Sequence, residues 1–98
     1  MHREQVILKA LADETRFRIL EFLLEGEKCV CEIIPYTERA QPTVSLQLRY
    51  LEDAGIVKSR RDGRKMLYRT VDYRVCDVLR VLGNKKINGM GTCCEVKR

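Results

Sequence analysis

Histidine is almost missing from this chain: of 98 residues only one, at position 2, is a histidine. That rules out a histidine-rich zinc or nickel site and leaves a cysteine nucleophile no imidazole partner beyond His2. With no Cys-x-x-Cys on a βαβ unit either, a small thiol enzyme is set aside, and the protein is not expected to be an enzyme. No apolar run approaches the length that spans a bilayer, and the first residues, Met1-His-Arg-Glu-Gln, have no apolar signal-peptide core. No internal repeat or low-complexity tract occurs. A cytoplasmic protein with no membrane partner is expected, its five cysteines kept as thiols for metal or redox chemistry rather than structural bridges.

What is present fits one domain with a single modest core. The apolar fraction of 45% and charged fraction of 34% are ordinary for a soluble protein. The net charge of +5 is unevenly distributed. Within 56–70 six Lys or Arg face one acid, so this stretch carries the whole excess and the remainder sums to zero. Such concentration points to a polyanion.

Periodicity orders the elements. Residues 4–12 put Ile7, Leu8 and Leu11 on one helical side. Asp13 caps a second helix over 15–25, with Glu14 in its first turn and Gly26 ending it. A short third helix is expected over 29–35, limited by Pro35, with Ile33 and Ile34 inward. After a turn at 37–40, residues 41–51 bury Val44, Leu48 and Leu51 (i, i+4, i+7). Gln41, Thr43, Ser45 and Gln47 are then left as short polar side chains suited to base edges, with Arg49 beside them. Two β-rich runs follow, 56–60 and 65–70, joined across Asp62-Gly63. Arg60, Arg61, Arg64 and Lys65 crowd the tip, where phosphate contact is expected. A last helix runs over 71–83.

A reading helix followed by a basic hairpin defines a mainly α fold with a small β-hairpin wing, the winged helix-turn-helix, with duplex DNA as partner. The division expected is a DNA-binding and dimerisation domain over 1–83 and a flexible tail over 84–98. The terminal helices carry more apolar residues than a small monomer needs: Val6, Ile7, Leu8 and Leu11 in the first, Val75, Val78, Leu79, Val81 and Leu82 in the last. A homodimer through these helices is expected. Its two reading helices would lie about 34 Å apart, one DNA turn.

Leu8-Lys-Ala-Leu-Ala-Asp-Glu-Thr-Arg-Phe-Arg-Ile-Leu20, Gln41-Pro-Thr-Val-Ser-Leu-Gln-Leu48 and Leu51-Glu-Asp-Ala-Gly-Ile-Val57 together resemble the ArsR/SmtB family of winged-helix repressors. The resemblance covers 8–79. It implies a dimer that binds operator DNA and leaves it when a thiophilic ion or other inducer binds, with no permanently bound cofactor. The last helix lacks the His and carboxylate set of zinc-responsive relatives. Lys28-Cys-Val-Cys-Glu32 resembles the arsenic-responsive branch, which implies that Cys29 and Cys31 are two of three thiolates holding As(III) or Sb(III). The branch pattern has a third cysteine where this chain has Ile34. The reading helix also departs, with Ala40, Leu46 and Gln47 at positions where serine, a basic or polar residue, and histidine are frequent. Operator sequence does not carry over.

The Cys29/Cys31 pair stands at a helix start next to Lys28, where dipole and charge both favour thiolate. On a regular helix residues i and i+2 point about 200° apart, so gathering both sulfurs on one ion requires distortion of the first turn. Cys76, between Val75 and Val78, reads as a buried small hydrophobe. Cys93 and Cys94, in the Gly-containing tail, are candidates for the missing ligand. Ten extended residues from Gly83 reach about 33 Å, enough for either subunit's third helix. Two alternatives stay open: a redox repressor of the same fold, in which these four cysteines form disulfides, and a Cd(II) or Pb(II) sensor.

Overall fold

The computed structural model describes residues 3–82, so the tail over 84–98, with Cys93 and Cys94, lies outside the described residues. The elements in chain order are α1 (Arg3–Leu11), α2 (Glu14–Leu23), β1 (Lys28–Cys29), α3 (Val30–Thr37), α4 (Gln41–Asp53), β2 (Val57–Asp62), β3 (Lys65–Thr70) and α5 (Tyr73–Val81). Among the described residues no helix is long and apolar enough to cross a membrane.

The start of α2 follows its sequence signal: the Asp13 side chain accepts the Arg16 N–H at 3.1 Å, satisfying one of the helix's unpartnered donors. Ile19, Leu20 and Leu23 of α2 are fully buried and form the floor of the core. On that floor sit Val44, Leu48 and Leu51 of α4, the stripe read from spacing, each contributing about 1.5–3 kcal/mol by burial. Val75 and Leu79 of α5 and Ile56 and Val57 at the wing's base close the core. In α1 the inward face consists of Ile7 and Ala10, whereas Leu8 is 59% exposed.

The third helix differs from expectation at both ends. Cys29 lies outside it, as an extended N-cap (φ −75°, ψ 147°), and the helix runs past Pro35 to Thr37. Pro35 has no N–H, so the Cys31 carbonyl forgoes its i+4 partner, yet one more turn forms because bonds at its end compensate. The buried Thr37 donates its hydroxyl to the Ile34 carbonyl at 3.0 Å. Glu38 then stops the helix in the left-handed region (φ 59°), its N–H bonded to the same carbonyl at 3.1 Å.

The wing is one strand larger than the hairpin read from sequence. The sheet order is β1-β3-β2, all antiparallel, with Lys28 opposite Tyr68 and Cys29 opposite Leu67. In the hairpin Asp62 pairs with Lys65, so the turn is Gly63-Arg64, one residue later than expected. Gly63 adopts φ 65°, the sign that a two-residue hairpin turn requires. Arg3 ties the ends of the fold together: it donates to the Ala54 carbonyl at 2.6 Å and pairs with Asp72, joining α1 to the end of α4 and the start of α5.

Candidate nucleic-acid interface and thiol cleft

On α4 the buried stripe leaves Gln41, Thr43, Ser45 and Arg49 exposed, as the helical period demands. Gln47 differs: it is half-buried on the flank nearest α2, and its Oε1 accepts a hydrogen bond from Arg16 Nη1 at 2.8 Å. Leu46, which the helical period leaves off the core stripe, is 64% exposed on the outward face. It lies about 200° around the helix from Val44, so the spacing that revealed the core stripe also marks it as an outward residue.

The wing's cations divide into two groups. Arg60 does not join the tip cluster expected of it, because Glu27 takes it in a bidentate ion pair, Nε–Oε2 and Nη2–Oε1 both 2.8 Å. Arg61, Arg64 and Lys65 are exposed, and among the described residues no ion pair engages them. Through its hydrogen bonds Arg60 holds the Glu27 carboxyl below the ordinary carboxylate value. The carboxyl is depressed in the fold, so its stabilising contribution is present above that ordinary value and is lost as pH falls through the lowered one. Denaturant melts of wild type and Glu27→Gln should therefore differ at neutral pH and converge in acid below about pH 4. A difference that persisted unchanged into acid would show that the pair contributes nothing through charge.

The thiols lie where helix and wing meet. Cys29 is 5% exposed, and Cys31 is exposed. The Cys29 Sγ accepts the Cys31 N–H at 3.1 Å, while Glu32 Oε1 accepts the Cys29 N–H at 2.9 Å, a capping box built on sulfur. The expectation that the sulfurs diverge by about 200° is corrected by this geometry, since it assumed two helical residues. With Cys29 in extended backbone the sulfurs converge into bonding contact, Cα atoms 5.1 Å apart, within the range that a disulfide spans. The Lys28 ammonium pairs with Glu25 at 3.3 Å and lies over the Phe22 ring. What the sulfurs share is the helix N-terminus.

Both cysteines line a cleft of about 520 Å³, together with Gln41 and Ser45 of α4 and Arg64 and Lys65 of the wing. Expected DNA contacts and thiols thus share one opening. Ile34 is half-buried against the core, and among the described residues no group of three His, Cys, Asp or Glu side chains stands together as a metal cluster. Cys76 is buried, its Sγ 4.0 Å from the Thr70 hydroxyl. The site expectation for Cys93 and Cys94 falls outside the described residues.

A short helix, a turn, an exposed second helix and a basic wing are together a winged helix-turn-helix, the architecture of DNA-binding transcription regulators. The chain belongs to the arsR family of bacterial regulatory proteins, whose pattern matches residues 13–59. It is 36% identical over 89 residues to the arsenical resistance operon repressor of Staphylococcus aureus, covering 91% of this chain and 86% of that one. It is 44% identical over 71 residues to the probable mercury resistance operon repressor of Streptomyces lividans, covering 72% of this chain and 57% of that one. The chain thus spans little more than half the length of the Streptomyces relative. Among solved structures it superposes with TM-score 0.72 and 29% identity on a Mycobacterium bovis protein. That structure is the homodimeric winged helix-turn-helix DNA-binding domain Mb0332, a possible ArsR-family transcriptional regulator, and the match covers 89% of this chain and 83% of that one.

Proposed function

We propose that the protein is a homodimeric metalloregulatory repressor, released from its operator when As(III) or Sb(III) binds the thiolates of Cys29 and Cys31. The third sulfur comes from Cys93 or Cys94. Soft thiolates select soft ions, and pyramidal As(III) suits three sulfurs. The observation that carries the reading is the shared cleft: an ion held at Cys29 and Cys31 borders Gln41, Ser45, Arg64 and Lys65. Occupying it disturbs the α3 cap, the start of α4 and the wing tip together. Gln41, Thr43, Ser45 and Arg49 are the base- and backbone-facing residues of α4, joined by Gln47, and Arg61, Arg64 and Lys65 are the phosphate contacts of the wing.

For the homodimer, the support is the apolar groove between α1 and α5, lined by Ile7, Leu8 and Val78 with Glu4 and Arg74 at its rim. Leu8 is 59% exposed there, and Val81, the last residue of α5, is 84% exposed.

One observation favours a second reading. The bonding contact between the Cys29 and Cys31 sulfurs suits a repressor that responds to thiol oxidation. Operator binding measured by fluorescence anisotropy against arsenite, antimonite, Cd(II) and Pb(II), with reductant present throughout, separates the readings. Release by arsenite or antimonite is expected. Release by Cd(II) or Pb(II) alone would replace the ion, and release only after a disulfide-forming oxidant would replace the metalloid reading with the redox one.

A further inference from the structure

Arg16, on α2, directs three donors and one face at two neighbouring helices. Its Nε donates to the Ala10 carbonyl and its Nη2 to the Lys9 carbonyl, both at 3.1 Å. These carbonyls belong to the last turn of α1, where helix carbonyls have no partner within the helix. Its Nη1 donates to Gln47 Oε1 at 2.8 Å, and its guanidinium lies over the Tyr50 ring, 4.0 Å from the centroid. Gln47 and Tyr50 sit one turn apart on α4, so a single planar cation fixes a flank of that helix against α1.

The contact also settles which end of the Gln47 carboxamide is free. A guanidinium has only donors, so the amide must turn its oxygen to Arg16 and its NH₂ away. Gln47 also lines a cleft of about 320 Å³, together with Arg16, Leu46, Arg49, Tyr50 and Asp53. A glutamine free to rotate pairs with adenine by accepting from N6 and donating to N7. One whose oxygen is anchored by an arginine approaches a base with donors foremost. Guanine, with N7 and O6 both accepting, is the edge that matches.

We propose that Arg16 is a positioning residue that makes Gln47 a donor-only reader, so that the operator position facing Gln47 is a G·C pair rather than an A·T pair. Arg16 itself touches no DNA in this arrangement; it acts through the amide it orients. The inference rests on α4 being the reading element of the proposed function and on Gln47 reaching a base.

Binding preferences of the full chain across a library of operator variants test it, for wild type, Gln47→Ala, Arg16→Met and the double variant. Gln47→Ala should level the preference at one position per half-site, and in wild type that position should be G·C. Arg16→Met should move the same position toward A·T by at least about fivefold, the lower end of what one bidentate contact discriminates. On the Gln47→Ala background Arg16→Met should change nothing there. A wild-type A·T preference at the Gln47-dependent position overturns the proposal without any Arg16 variant, so it stays testable if Arg16→Met fails to fold. An Arg16→Met protein that folds and keeps the G·C preference also overturns it. If Gln47→Ala alters no position, the premise that Gln47 reads DNA fails instead.

Discussion

Replacing Cys29 and Cys31 with serine is expected to yield a repressor that folds, binds its operator and is no longer released by arsenite. The fold should survive because serine is a better N-cap than cysteine. Its hydroxyl can accept the same N–H from the α3 backbone, and with Glu32 three residues on it completes an ordinary capping box. Melting should therefore be unchanged or raised by up to about 1 kcal/mol. The ion loses both of its soft ligands near the DNA surface, and oxygen donors do not replace them for As(III). The third ligand is tested separately. Single substitutions at Cys93 or Cys94 should be mild because either sulfur suffices, whereas Cys93→Ser/Cys94→Ser should weaken arsenite binding strongly. X-ray absorption at the arsenic edge should report three sulfur neighbours in the intact chain and fewer when the chain is cut after Gly91. Three sulfurs persisting after that cut would eliminate the tail as the source. A normal arsenite response in Cys29→Ser/Cys31→Ser would remove the metalloid reading altogether.

The second large effect is expected at the wing tip. Arg61 and Arg64 are exposed and, among the described residues, engaged by no carboxylate, so they are available to phosphates. Arg61→Ala/Arg64→Ala should weaken binding to operator and random DNA alike. The slope of log affinity against log salt should fall by about one unit for each phosphate that the variant no longer neutralises. Arg60 supplies an internal control. Because Glu27 already pairs with it, Arg60→Ala should change the salt slope less than either neighbour and instead loosen the junction between β2 and the segment before β1. Unchanged affinity for random DNA together with a collapse of operator preference would make the tip a base reader and refute the phosphate role.

The features legible in sequence were those that local pattern determines. The Val44, Leu48 and Leu51 stripe and the Asp13 cap each follow from residues within one or two turns and have the expected form, and the hairpin turn at Gly63 falls within one residue of its expected place. What escaped was set by partners far along the chain. Gln47 is 31 residues from Arg16, and Arg60 is 33 residues from Glu27, so no spacing rule announces either pairing. The two-residue β1 is too short to show alternation and exists because Cys29 and Lys28 find Leu67 and Tyr68 across the sheet. The path of α3 through Pro35 depends on the buried Thr37 hydroxyl and on the left-handed Glu38, neither of which is a strong local signal.

That short strand has a mechanical consequence. Cys29 is at once the last residue of the sheet's outer strand and the residue that caps α3. Its backbone is anchored to Leu67, one step along β3 from Met66, while its sulfur holds the first turn of the helix that leads into α4. A reagent that captures this one atom therefore pulls on two levers that diverge from a common fulcrum, one ending in the wing and the other in the reading helix. A protein gripping DNA with both would lose its hold at the two ends in concert.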